Sequence, residues 1–193
     1  MREMFPVFWG ISGSYKTMCK EFCIYIPFKE SKMKRFVRVL FPLLTLCWLS
    51  FIFTNSAMDA EKSTEMSDTY TDKAVDIVEE VTQKPVTEEG RETLETIIRK
   101  SAHCLEFTLL SIVTYISFTV NGLDMKRHIF FLLWLGLLIG LTDEAIQLHS
   151  EGRYSSVVDV YIDFAGFALG ACLCLFIRYL HRRKKTHPPV EQE

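Results

Sequence analysis

The sequence predicts an all-α protein: an integral membrane four-helix bundle with an amphipathic external helical segment. Hydrophobic residues make up 49% of the 193 residues and are concentrated in four windows that hold few charges. Each window can be extended to about 20 residues, the length that a helix needs to cross a bilayer. Basic residues lie at alternate ends of the windows, as expected of consecutive spans that reverse direction. The formal net charge of −2 gives no electrostatic bias towards nucleic acid, which is therefore not an expected partner.

The first span is predicted at residues 39–58, which contain no charged residue. Residues 1–38 precede it as a predicted cytoplasmic N-terminal extension, and its last part, 29–38, is rich in Lys and Arg. Residues 1–32 match no part of the bundle. Met33, followed by a basic stretch and then the apolar span, is therefore a candidate for the true start of the protein.

The other three spans are predicted at residues 101–120, 129–148 and 158–177. Each reaches a membrane-crossing length only if acidic residues are counted inside it, because the uncharged parts of the last two are too short to span. We therefore expect the acids to lie within the thickness of the membrane. The predicted membrane domain covers residues 39–180, and a basic and polar cytoplasmic tail follows at 181–193.

The loop between the first two spans, residues 59–99, is predicted to be external and at least partly helical. Apolar and small residues recur in it at helical spacing until Pro85, and a second helix is predicted from near Thr87 into the second span. Two interpretations stay open: a lid over the polar residues described next, or an acidic loop whose helix lies against the bundle. The residues at helical spacing are Met66, Tyr70, Ala74, Ile77, Val78 and Val81.

Charge asymmetry predicts the orientation. Lys and Arg cluster before the first span, between the second and third, and after the fourth, which places both termini in the cytoplasm. The polar ends of spans two, three and four then share the outer side. They supply the candidate site, a cluster of polar residues that we expect to bind a ligand: Lys100, His103, Glu106, Asp143, Glu144, Gln147, Arg153, Asp159 and Asp163.

Helical spacing predicts that these residues face the interior of the bundle, and on the third span it leaves open whether Asp143 or Glu144 shares the face of the glycines. Residues three or four positions apart share a face of a helix, and glycines that permit close helix packing share faces with the acids. These glycines are Gly136, Gly140, Gly166 and Gly170. We expect Arg153 to act as a counter-ion from the loop between the last two spans.

A fully ionised cluster of five acids would be poorly solvated inside a membrane. Either some carboxyls are protonated, or a cation sits among them. His103 and Glu106 have the spacing of a metal-ligand pair, but no HExxH, GxSxG or phosphate-binding glycine loop accompanies them. The sequence therefore assigns no catalytic residue, no metal site and no cofactor.

Three stretches of these spans resemble the VanZ-like membrane protein family: KSAHCLEF at 100–107, DEAIQLHSEGRYSSVVD at 143–159 and DVYIDFAGFALG at 159–170. The resemblance covers about residues 39–180. It implies a four-helix bundle in a bacterial cell membrane and, for the founding member, a role in resistance to the glycopeptide teicoplanin. Many members have Asn where this chain has Asp163, and TNS at 54–56 loosely matches a polar Ser/Gln cluster expected after the first span.

Three hypotheses for the polar cluster follow. The cluster either holds the helices together by hydrogen bonds, or binds an envelope component, or is the centre of a membrane enzyme. The preferred hypothesis is a non-catalytic protein that binds or shields an envelope component and so contributes to glycopeptide or lipoglycopeptide resistance. Its expected partners are membrane lipid and either a peptidoglycan precursor or a lipoglycopeptide. The alternative is a membrane-embedded enzyme that acts on an envelope lipid or precursor by acid/base or metal-assisted chemistry.

Overall fold

The computed structural model describes residues 31–152 and 156–186, and within them the chain forms five helices. Four of these helices are long and apolar enough to cross a membrane. The predicted all-α bundle with four spans and one additional helix is therefore confirmed. The helices are α1 (Ser31–Ser56), α2 (Ala60–Thr82), α3 (Glu88–Val120), α4 (Met125–Gln147) and α5 (Val157–Thr186).

Two of the four predicted spans lie entirely within one helix, and the other two extend only one or two residues past the end of theirs. All four helices are longer than the spans predicted for them. α3 runs without a break from Glu88 to Val120, so the second half of the 59–99 segment and the second span form a single helix, as predicted. Thr87 begins it as N-cap, because its Oγ1 accepts a hydrogen bond from the backbone N of Gly90 at 3.2 Å. α5 continues into the predicted tail, whose residues 187–193 lie outside the described part, as do residues 1–30.

α2 is the helix predicted from the apolar repeat of the 59–99 segment. It ends at Thr82, where Gln83 takes a left-handed conformation with φ of 55°. α2 packs mainly against α3, and Arg91 of α3 forms salt bridges with Asp68 and Asp72 of α2. We call α2 together with residues 88–100 of α3 the α2–α3 hairpin. Whether it acts as a lid stays a prediction.

α3 is the central helix of the bundle and makes its most extensive contact with α5. The two helices run parallel and approach so closely that a Cβ added to Gly166 would lie 2.3 Å from the backbone oxygen of Cys104. Thr108 on α3 donates a hydrogen bond to the backbone oxygen of Gly166 at 2.9 Å across the same crossing. Gly170 repeats this approach one turn later, against the backbone oxygen of Thr108. These small residues let two backbones touch.

α4 packs antiparallel to α5, and its two glycines differ in how closely α5 approaches them. Gly136 leaves room for the ring of Phe167, which would otherwise overlap a Cβ at that position. Gly140 faces Asp163, but a Cβ there would make only an ordinary contact at 3.4 Å. The fully buried apolar core between the helices includes Phe107, Leu132 and Phe167.

The two ends of the bundle differ in chemistry. At one end, which we call the basic end, Arg178 pairs with Asp124 at 3.4 Å and Arg38 donates to the backbone oxygen of Val120. The opposite end, which we call the polar end, holds the acids and the α2–α3 hairpin. Between the ends the outer surface exposes large apolar side chains such as Phe130, which is 83% exposed and suits contact with lipid. The chain is thus a multi-pass membrane protein.

Candidate functional site

Asp143 lies at the centre of the polar end. Its side chain is fully buried on α4 and accepts hydrogen bonds at both carboxylate oxygens. Ser56, the last residue of α1, donates from Oγ to Oδ1 at 2.6 Å. Gln147, one turn further along α4, donates from Nε2 to Oδ2 at 3.0 Å. Asp143 therefore joins α1 to α4 inside the membrane domain.

Glu144 is also buried, although it follows Asp143 directly on the same helix. Its Oε2 accepts a hydrogen bond at 2.9 Å from the backbone N of Ser156, just before α5 begins. The helical spacing had left open which of the two acids faces inward. Both do, because Asp143 faces α1 while Glu144 reaches the start of α5. Arg153, the predicted counter-ion from the same connection, lies outside the described residues.

α3 and α5 face each other through a ladder of ionisable side chains. Lys100 Nζ lies 3.1 Å from Asp159 Oδ1, and about one turn deeper His103 Nδ1 lies 4.0 Å from Asp163 Oδ1. Parallel helices bring residues of similar depth together, so steps of three and four residues on α3 and α5 stay in register. Lys100 and Asp159 are partly exposed, whereas Asp163 is 2% exposed. The ladder therefore leads from solvent into the bundle.

Glu106 extends the cluster towards α1. Its Oε1 accepts a hydrogen bond at 3.3 Å from Asn55 Nδ2, and its backbone oxygen accepts one from the indole of Trp48 at 3.0 Å. Two adjacent residues of α1 thus donate hydrogen bonds to two different acids: Asn55 to Glu106 and Ser56 to Asp143. Neither of these α1 residues belongs to the candidate site predicted from the sequence. The signal was present in TNS at the end of an apolar span, but nothing in the sequence showed which helix it would meet.

Electrostatic repulsion is concentrated at Asp163. The carboxyls of Asp143, Glu144, Asp159 and Glu106 all lie close enough to repel a negative charge on it. Its buried Oδ2 has no hydrogen-bond partner within residues 31–152 and 156–186. A buried acceptor that lacks a donor is costly, so this oxygen is suited to accept a hydrogen bond from a ligand.

The structure brings eight of the nine predicted site residues to the polar end of one bundle. Across residues 31–152 and 156–186, no three His, Cys, Asp or Glu side chains converge in a way that could hold a metal ion. The arrangement offers many hydrogen-bond acceptors, together with Lys100 at the entrance. A bound cation stays a prediction.

Comparison with known proteins gave a family but no individual relative. The sequence model of the VanZ/LLP1 family matches residues 41–178, which reach into all four spans and include every residue of the polar cluster. No curated protein matched the chain, and no solved structure matched it either. The match covers well over half of the sequence and confirms the resemblance of its motifs. The chain belongs to the VanZ/LLP1 family.

Proposed function

We propose that this protein binds or shields a component of the bacterial cell envelope at its polar cluster, and that it thereby contributes to resistance to glycopeptide and lipoglycopeptide antibiotics of the teicoplanin type. Ionisable residues inside a membrane domain are costly to keep and usually mark a functional site. The observation that carries the proposal is the buried Asp163 carboxyl, which lies among four other acids and has one oxygen without a donor in the described residues.

The chemistry of the cluster favours a ligand rich in hydrogen-bond donors. Carboxylates accept hydrogen bonds and cannot donate them while ionised, so an ammonium or hydroxyl group complements them. Lys100 and Asp159 have side chains that are 37% and 31% exposed and stand at the entrance to Asp163. A peptidoglycan precursor or a lipoglycopeptide offers such groups at the membrane surface, where membrane lipid is the other proposed partner.

The proposal requires the polar end to face the cell wall. Supporting this orientation, Arg38, Lys126, Arg127 and Arg178 all belong to the basic end of the bundle, and basic residues favour the cytoplasmic side of a membrane. Both termini then lie in the cytoplasm. The α2–α3 hairpin then projects into the space between the membrane and the wall.

Thiol labelling of whole cells should reproduce this orientation. In a variant without native cysteines, we expect a membrane-impermeant maleimide to label Glu80→Cys at the tip of α2 and to miss Lys126→Cys unless the cells are opened. Both side chains are exposed, so access to the reagent and not burial decides the result. Labelling of Lys126→Cys in intact cells, with Glu80→Cys protected, would reverse the orientation and remove the basis of the proposal.

Binding and catalysis differ in what they do to the envelope. A strain that lacks this protein should become more sensitive to teicoplanin, while its membrane lipids and peptidoglycan precursors keep the composition of the parent strain. The measurement pairs drug susceptibility and cell-bound drug with mass spectrometry of lipids and precursors. A lipid or precursor whose abundance follows the presence of the protein would instead support the alternative, a membrane-embedded enzyme acting at the same cluster.

A further inference from the structure

The α2–α3 hairpin exposes an apolar stripe that the polar cluster does not use. Tyr70, Ile77 and Val81 on α2 are 65%, 61% and 77% exposed, although α2 also has a face packed against α3. Their spacing of seven and four residues places them on one face of the helix. A shallow cavity beside the stripe is lined by Val78, three residues before Val81, and by residues that include Val86 and Leu94.

Membrane lipid cannot cover this stripe while the hairpin follows the direction of α3. α3 is continuous from Glu88 into the bundle, so its first residues extend the axis of a spanning helix beyond the membrane. At about 1.5 Å per residue, Tyr70 lies about 15 Å and Val81 about 31 Å along α2 from Ala60. A headgroup layer is only about 5–8 Å thick on each side of the bilayer. The stripe is therefore exposed to water outside the membrane.

The charge of the segment that holds the stripe indicates what binds there. Residues 59–99 contain twelve Asp or Glu and five Lys or Arg. Three of these acids, Asp76, Glu80 and Glu89, are exposed on the hairpin, and Glu89 also lines the cavity. A second copy of the same hairpin would meet it with like charge, which disfavours self-association.

We propose that the α2–α3 hairpin is a docking surface for a cationic amphipathic peptide, whose apolar face covers Tyr70, Ile77 and Val81 while its Lys or Arg side chains face the surrounding acids. Apolar anchors supply the affinity in such helix-on-helix recognition, and complementary charge supplies the rate and selectivity of encounter. This site is separate from the polar cluster. It shares with the proposed function only the side of the membrane on which the hairpin lies.

The test uses the full chain in nanodiscs of phosphatidylcholine, in which both sides are accessible. The probe is a synthetic peptide of Lys and Leu at helical spacing, about five turns long, and the signal from empty nanodiscs is subtracted. We expect binding that weakens as salt rises and that the triple variant Tyr70→Ser/Ile77→Ser/Val81→Ser weakens by at least about tenfold, equivalent to about 1.4 kcal/mol. Neutralising Asp76, Glu80 and Glu89 to their amides should lower both the affinity and its dependence on salt.

Two controls keep the result specific. Leu148→Ser removes an exposed apolar side chain at the same end of the bundle but off the hairpin, and it should leave the affinity unchanged. A peptide with Glu in place of Lys should not bind. Equal binding by the triple variant, or cross-linking of two protein copies through Ile77→Cys, would overturn the proposal. The peptide reaches both faces of a nanodisc, and no envelope component is present. Neither result therefore depends on whether the polar cluster binds such a component.

Discussion

Replacing Gly166 by Ala should remove most of the folded protein from the membrane, whereas the same change at Gly140 should leave its amount unchanged. The new Cβ at Gly166 would lie 2.3 Å from the backbone oxygen of Cys104, and a backbone atom in a helix cannot move away alone. At Gly140 the nearest atom would be 3.4 Å away. Intrinsic helix propensity favours Ala over Gly by about 0.8–1 kcal/mol at both positions, so packing alone separates them.

The cost at Gly166 should exceed the usual range for overpacking, about 1–3 kcal/mol, because the whole α3–α5 contact must open. Size-exclusion profiles and thermal unfolding of the detergent-solubilised variants would measure it. Gly166→Ala should appear mainly as aggregated or degraded protein, and Gly140→Ala should unfold at or slightly above the temperature of the parent protein. Equal stability of the two variants would contradict the close approach of the two backbones.

Removing charge from the polar cluster should abolish resistance while the protein stays in the membrane. In Glu144→Gln the remaining side-chain oxygen can still accept from the backbone N of Ser156, and in Asp159→Asn the shape of the side chain is kept. A hydrogen bond to a charged group contributes about 1.5–3 kcal/mol. The loss of such a hydrogen bond to the ligand would weaken ligand binding by about 10- to 150-fold.

Teicoplanin susceptibility and membrane abundance must be measured on the same cultures. Glu151→Gln is the matched control, because it removes one exposed acid from the adjacent connection and should change neither quantity. If Glu144→Gln and Asp159→Asn lose protein in proportion to lost resistance, the acids serve to hold the helices together and the binding function fails. Normal abundance with lost resistance is the outcome that the proposal expects.

The spans could be predicted because charge is so unevenly distributed along the chain. The inward direction of the acids followed from the same physics, since a carboxyl cannot face lipid without great cost. The continuous α3 was also predictable, because after Gly90 in its first turn neither Gly nor Pro occurs until Gly122, past the far end of the second span. In each case the information is local, within one helix or at its ends.

The partners of the acids could not be predicted in the same way. Ser56 and Asn55 look in sequence like ordinary polar residues at the end of a span, and only the packing of α1 against α3 and α4 shows that they donate to Asp143 and Glu106. The burial of Glu144 likewise depends on where α5 begins. Such contacts join residues that are many positions apart, and helical periodicity says nothing about them.

Because α3 packs against α5, the bundle is completed only after the last helix has been synthesised. α3 leaves the ribosome before α5, and the glycines and acids that complete the contact of α3 belong to α5. At about 5–20 residues per second, the 46 residues from Val120 to Gly166 take roughly 2 to 9 seconds to synthesise. During that interval Lys100 and His103 lie in a newly inserted helix without their partners Asp159 and Asp163. A ribosome that stalls after α4 would therefore leave an inserted chain in which Lys100 and His103 lack the acids of α5, and the face of α3 that packs against α5 would be open to lipid or to the translocon.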